Sequence, residues 1–448
     1  MIERIKSMLL LFLVSLSLFL TYQLWYGQKP THLITEDVYE RVIAEKPRLL
    51  VDIITPAQII VETERGNYVL KEGNPDFHSL WGALSQQLQN MNQESVIDGN
   101  VSMEGFRNLL VVYFKPALPV GPDSPWLASA PYSMINQIQI SSQDSDLWLT
   151  LSDSDSDSTA KLLIPPDKKE LFLQPMAELS SEERILYTVL TADRISGFTN
   201  RELEIRASVF VPEEPVSMDI LILKPEIVDR DLILKTFFID YNLARVIEEK
   251  DGGLIYTDGE RGLRLTNVGF EYSHPRLEEG QATSSYPDAL ANSSNLISYH
   301  GGWPAGLRLG ELSLIRQGRT AYYMAEWKIF YQGFPLYVNK PTRALFNDRG
   351  LTHYTRALFS VEGILTGGEE KLPVAGWASA LKEALEIFNA EQPGTESVLR
   401  LEAMELGYAL TGSATAFRGE PVWFIKINNY KFYLKADSLD WLSEEEML

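Results

Sequence analysis

The chain has 448 residues, 45% of them hydrophobic and 11% aromatic, with a formal net charge of −21 and no cysteine. That composition belongs to folded proteins and not to disordered chains, and the length suits two or three domains better than one core. The acidic balance repels nucleic acid, which sets nucleic-acid binding aside, and the missing cysteines exclude disulfides and thiolate metal sites.

Residues 8–26, "MLLLFLVSLSLFLTYQLWY", come first in chain order and carry no charge over 19 positions. At about 1.5 Å per helical residue the stretch nearly matches a hydrocarbon core of about 30 Å. The apolar region of a signal peptide is shorter, about 7–15 residues, and ends at a small-x-small site. Here Gln23-Leu24-Trp25-Tyr26-Gly27 puts bulky residues at that position, and no lipobox cysteine is present. The expectation is therefore a retained transmembrane anchor at the cell membrane. Residues 1–7 form a cytoplasmic tail with Arg4 and Lys6 on the inner side, Trp25 and Tyr26 sit at the outer interface, and the bulk of the chain is extracytoplasmic. Within the anchor, Ser17 and Thr21 stand four apart and share a helical face with Leu10, Leu13, Val14 and Leu24. Small hydroxyl residues let a second transmembrane helix approach closely, so this face is the candidate partner interface.

After the anchor, "TEDVYERVIAEK" reads as a short helix with Thr35 as its N-cap. "RLLVDIITPAQIIVETERGNYVLKEG" alternates apolar and polar residues around Arg65-Gly66, the pattern of a hairpin. "FHSLWGALSQQLQNM" has helical period, "LWLTLSDSDSDSTAKLLIP" reads as two strands joined by a polar loop, and "SSEERILYTVLT" as a helix closing a first domain, 30–200.

Beyond about residue 250 the sequence repeats. Leu254 and Leu345 stand 91 apart, Arg264 and Arg356 92, the helical segments starting at Ala289 and Ala380 91, and Leu307 and Leu399 92. Gly333 of "QGFPLYV" and Gly419 of "RGEPVWF" stand only 86 apart, which reads as a shortened hairpin loop. A period of this size marks a duplicated domain: a middle unit, 201–341, and a C-terminal unit, 342–448. Each reads as a helix on one face of an antiparallel sheet, so the fold class is α+β. The Gly-x-Pro elements, Gly333 with Pro335 and Gly419 with Pro421, read as turns.

Motifs for chemistry are sparse. His32, His78, His274, His300 and His353 include no i, i+4 pair, and the hydrolase and phosphate-loop patterns are missing, so no catalytic residue, metal ligand or cofactor is assigned. Ser158 and Lys161 match the S-x-x-K spacing, but no K-T-G accompanies them. Asp153, Asp155 and Asp157 imitate the start of a calcium loop, yet Ser158 and Ile164 replace its glycine and glutamate, which leaves a polar hairpin tip. "YYMAEWKIFYQGFPLYV" could stack a sugar, but the alternation of Trp327, Ile329 and Tyr331 is that of a half-buried core strand.

The opening "IKSMLLLFLVSLSLFLTYQLWYGQKP", the acidic cysteine-free remainder and the late "GFPLYV" and "GEPVWF" segments together resemble the YycH (WalH) family of low-GC Gram-positive bacteria, over the whole chain. The resemblance implies a single N-terminal transmembrane helix followed by three extracytoplasmic domains, the last two of similar fold. It also implies a non-enzymatic regulator of the WalK (YycG) sensor histidine kinase that controls cell-wall metabolism, acting with a smaller single-span protein, YycI. Whether the chain works as a homo- or hetero-oligomer stays open. The alternative is a binding module for a cell-wall or lipid component, seated between the repeated domains.

Overall fold

In the computed structural model the described residues are 6, 10, 13–17, 48 and, apart from short internal segments such as 92–95, 98–106, 154–157, 180–184, 224–228, 360–364 and 393–397, those from 53 to 447. Residues 1–42 form one unit and 43–448 another. In the first, the described residues of the apolar stretch are helical and exposed, among them Leu10 (66%), Leu13 (53%) and Val14 (52%). Thr21, Leu24 and the "TEDVYERVIAEK" segment lie outside the described residues. Among those described, no helix is long and apolar enough to cross a membrane.

The second unit opens with the expected hairpin, β1 (Pro56–Thr63) and β2 (Gly66–Leu70), closed with Thr63 opposite Gly66. Helix α1 (Pro75–Gln89) follows. The Asn74 side chain accepts the Asp76 N–H at 2.9 Å, Pro75 fills the first turn, and Phe77, Leu80, Trp81, Leu84 and Leu88 form its buried stripe. Then come β3 (Val96–Ile97), β4 (Arg107–Val120), β5 (Ser133–Gln143), β6 (Asp146–Asp153), β7 (Ser158–Leu163), α2 (Lys169–Ala177), β8 (Leu186–Val189), α3 (Ala192–Ile195), β9 (Glu202–Ile205) and β10 (Phe210–Pro212). All of these strands except β9 make one sheet, ordered β10-β8-β2-β1-β4-β5-β6-β7-β3. The helix expected over "SSEERILYTVLT" is corrected at its described end, where Leu186–Val189 is strand β8. Its aromatic and β-branched residues take a slot between β2 and β10, so sheet pairing overrides the local helical reading.

The second sheet is built by β9, β11 (Ser217–Leu223), β12 (Arg245–Glu248), β13 (Leu254–Thr257), β14 (Gly262–Leu265), β15 (Gly269–Ser273), β16 (Leu307–Gln317), β17 (Thr320–Tyr331), β18 (Phe334–Tyr337), β19 (Thr342–Asn347), β20 (Gly350–Ala357), β21 (Leu365–Pro373), β22 (Val398–Ser413), β23 (Ala416–Ile427), β24 (Tyr430–Lys435) and β25 (Trp441–Leu442). Helices α4 (Arg230–Phe237), α5 (Tyr286–Tyr299) and α6 (Trp377–Glu391) interrupt them. The order three strands, a helix and three strands occurs twice: β13–β15, α5, β16–β18, then β19–β21, α6, β22–β24. Alanines at 380 and 384, both fully buried, let α6 lie close to the sheet. Hairpin β19–β20 is inserted between β15 and β17, while β11 runs between β23 and β21, so the two stretches share strands in one sheet. The fold is mixed α+β and mostly sheet.

The register of the repeat corrects the Gly-x-Pro alignment. Gln332 and Gly333 (φ 48° and 77°) turn β17 into β18, and the matching turn from β23 into β24 is Asn428-Asn429 (φ 49° and 68°). Two successive positive φ values are the mark of the tight turn that suits strand twist, and glycine and asparagine are the residues that tolerate them. Gly419 instead lies inside β23, between Leu410 of β22 and Leu221 of β11. A strand position has replaced the expected turn, because hairpin geometry and not motif spelling sets the register.

Candidate functional site

The residues singled out for chemistry are not gathered by the fold. Ser158 and Lys161 stand three apart on β7, and Lys161 is buried in the sheet. His300 is stacked on Phe237 at 4.4 Å within the core, whereas His78 is exposed near Glu72 and His353 near Glu271. Among the described residues no group of three His, Asp or Glu could hold a metal ion. Trp327 and Ile329 are buried, as a core strand requires. One apolar void of about 10 Å³ lies between α1 and the first sheet, lined by Trp81, Leu84, Val112 and Phe172, which is a packing defect and not a ligand site.

What the fold does assemble is a charged seam between the two sheets. The turn after β2 carries Lys71, Glu72 and Gly73, and it meets the β17–β18 turn head on. A Cβ on Gly73 would come within 2.5 Å of the Gln332 backbone, and one on Gly333 within 2.6 Å of the Glu72 carbonyl oxygen. Only glycine allows such an approach, and at both positions φ is positive. Around this contact Arg308 of β16 forms an ion pair with Glu72 and lies over the Phe330 ring, 5.2 Å from its centroid. The Lys71 Nζ lies 4.7 Å from the Phe334 ring centroid. Behind them the Tyr337 hydroxyl donates to Glu405 Oε1 at 3.0 Å.

Burial pushes the Glu405 carboxyl up, but Lys115, Lys328, Lys71 and the Tyr337 hydroxyl outweigh it and hold the group below its ordinary value. Burial lowers the Lys71 ammonium, and Glu405 opposes that. Burial also pushes the Tyr337 phenol well up, reinforced by Glu405, so it stays a neutral donor. Burial draws Arg308 down to about 10, still charged at neutral pH. The arrangement joins a donor, a carboxylate and cations across the two sheets, and its chemistry is that of a latch.

Comparison with known families decides the identity. The description "YycH protein, N-terminal domain" matches residues 3–120, and "YycH protein, C-terminal domain" matches residues 206–437. The chain belongs to the YycH family. That family is one of accessory regulators and is not known as an enzyme family. Among solved structures, YycH from Bacillus subtilis matches with a TM-score of 0.58 at 13% identity, covering 87% of this chain and 98% of that one. At that identity the likeness concerns the fold. An uncharacterized protein from Eubacterium rectale (TM-score 0.38, 11% identity, 55% of this chain and 92% of that one) and the YpeB C-terminal domain of Bacillus megaterium (0.28, 12%, 50% and 100%) also align. The search of curated proteins returned no match.

The latch now has a place in the YycH plan. Lys71, Glu72 and Lys115 come from the part matched by the N-terminal family domain, and Arg308, Lys328, Gly333, Tyr337 and Glu405 from the part matched by the C-terminal one. Tyr286 adds a second tie between the parts, its hydroxyl donating to the Ala117 carbonyl at 3.3 Å. Sequence reasoning read Gly333 only as a turn and missed its charged neighbours, because Lys71, Glu72, Arg308 and Glu405 are spelled like ordinary solvated charges. The one local signal was Lys328, a cation amid the aromatic run of β17.

Proposed function

We propose that this YycH protein is a membrane-anchored regulator of a two-component sensor histidine kinase that controls cell-wall metabolism. Residues 8–26 span the membrane with the N-terminus in the cytoplasm, and the exported part consists of three domains, 30–200, 201–341 and 342–448, the last two a duplicated helix-on-sheet unit. The protein contacts the WalK-like kinase and a YycI-like single-span partner through the anchor face of Ser17 and Thr21 and through its exported domains. Family membership carries this reading, and the uncharged 19-residue stretch supports the anchor.

A regulator shifts a kinase between states only by its differential affinity for them, and about 1–3 kcal/mol suffices for a 5- to 150-fold effect. Close helix contacts in the bilayer supply energies of that order. Exchanging residues 8–26 for an unrelated apolar span of equal length tests the mechanism. Kinase output is expected to change as it does on deletion of the protein, with export and abundance intact; unchanged regulation would sink the membrane-contact mechanism.

A further inference from the structure

The second sheet begins at β12, and among the described strands β12 pairs only with β13. All four residues of β12 are exposed, Val246 at 57% and Ile247 at 52%, and Leu243 just before it at 78%. Sheet edges are ordinarily blunted by short length, charge, proline or a bulge. Arg245–Glu248 is short and charged at both ends, but it has neither proline nor bulge and keeps an unbroken register from Arg245 opposite Thr257 to Glu248 opposite Leu254, around the apolar Val246 and Ile247.

Which groups face outward follows from one hydrogen bond. The Glu249 N–H donates to the Gly253 carbonyl at 2.8 Å, so positions 249, 247 and 245 turn their backbone groups toward β13. Positions 246 and 248 therefore offer theirs to the outside, because backbone groups alternate along a strand. We propose that a second copy of this chain occupies this edge, β12 pairing antiparallel with its own counterpart about a two-fold axis at Ile247.

Three features select that occupant and register. An antiparallel ladder sets outward-facing residues opposite one another, and the axis at Ile247 places Val246 opposite the second copy's Glu248 twice over, forming four backbone hydrogen bonds. The same register faces Ile247 with its own copy and Arg245 with the second copy's Glu249, so opposite charges flank an apolar centre symmetrically. The neighbouring register, centred on Val246, would need the Ala244 N–H, which is already donated to the Tyr241 carbonyl at 3.2 Å. The Glu249 carboxylate already accepts from the Arg264 Nε of β14 at 2.5 Å, so the second copy's Arg245 would share it.

The natural absence of cysteine makes the test clean. In the non-hydrogen-bonded pair at the axis the two Cα atoms lie about 4.5 Å apart, within disulfide reach. Full-length Ile247→Cys, treated with mild oxidant in membranes, is expected to run mostly as a disulfide-linked dimer. Val246→Cys, whose two copies are two residues out of register, is expected to give under a tenth of that yield. Adding Val246→Pro to Ile247→Cys removes an outward N–H without touching the bonds to β13 and should suppress the dimer at least fivefold. The unmodified chain in detergent should sediment as a dimer, with a dissociation constant raised at least tenfold by Arg245→Glu. Equal cross-linking at 246 and 247, an adduct of some other mass, or an unmodified chain that stays monomeric at micromolar concentration overturns the proposal.

Discussion

Glu405 is the residue at which the seam meets solution chemistry. Its folded carboxyl lies below the ordinary value of 4.5, so the ionised form is favoured by folding. The stability it contributes is fully present above that ordinary value and is lost as pH falls through the folded one. The thermal midpoint is thus expected to be flat between pH 7 and pH 5 where this residue is concerned, and to fall below about pH 4.5. Glu405→Gln, which can still accept from Tyr337, should lower the midpoint at pH 7 and shrink the acid-side decline; an identical pH profile in both proteins would count against the assignment. None of this was legible in the sequence. Lys71 and Glu405 lie far apart in the chain, and a charge that will be half-buried between two sheets is spelled like any solvated one. Residues whose role is local were easier to read, such as Trp327 and Ile329, because a two-residue period is carried by neighbours alone.

At the scale of elements the two tight turns of the repeat form a natural control pair. Gly333 and Asn429 occupy equivalent positions with φ of 77° and 68°, yet Asn429 is exposed while Gly333 faces the Lys71 Cβ and the Glu72 backbone. Asn429→Gly should be nearly neutral, within about 0.5 kcal/mol, since either residue tolerates this conformation. Gly333→Ala adds about 1–2 kcal/mol of left-handed strain and a Cβ that collides with the facing turn, so a loss of about 2 kcal/mol or more is expected in urea denaturation. Comparable losses at both positions would mean that the turns act alone and the seam contributes nothing. The order of strands and helix after residue 250 was readable from correspondences at nearly one spacing, such as Leu254 with Leu345 and Ala289 with Ala380. The strand exchange was not, because which strands pair across long separations leaves no mark on local periodicity. The same blindness produced the helix expected at β8, where partners on both sides decide the outcome.

Across the whole molecule the question is whether two sheets behave as one body. Residues 43–448 form a single compact unit, and the contacts between the parts matched by the two family domains include the glycine-on-glycine meeting of turns, the Arg308–Glu72 pair and the Tyr286 tie. Each sheet nevertheless has helices of its own, α1 and α2 in the first part and α5 and α6 in the second, although the buried apolar residues of both join in one core. Breaking the seam should therefore separate the two meltings before it abolishes either. Gly73→Val acts on the seam from one side and Gly333→Val from the other, and the contact is mutual, so the two variants should behave alike. Calorimetry of the unmodified protein is expected to show one cooperative transition, with calorimetric and van't Hoff enthalpies in agreement, and each variant two. Asn429→Val strains the equivalent turn away from the seam and should lower a single transition without splitting it. If only one of the two seam variants splits the transition, or if Asn429→Val splits it as well, the latch is not what couples the sheets. If the pattern holds, a signal arriving at one part of this YycH protein has a rigid mechanical route to the other, since displacing either turn by the width of a methyl group already requires the facing turn to move.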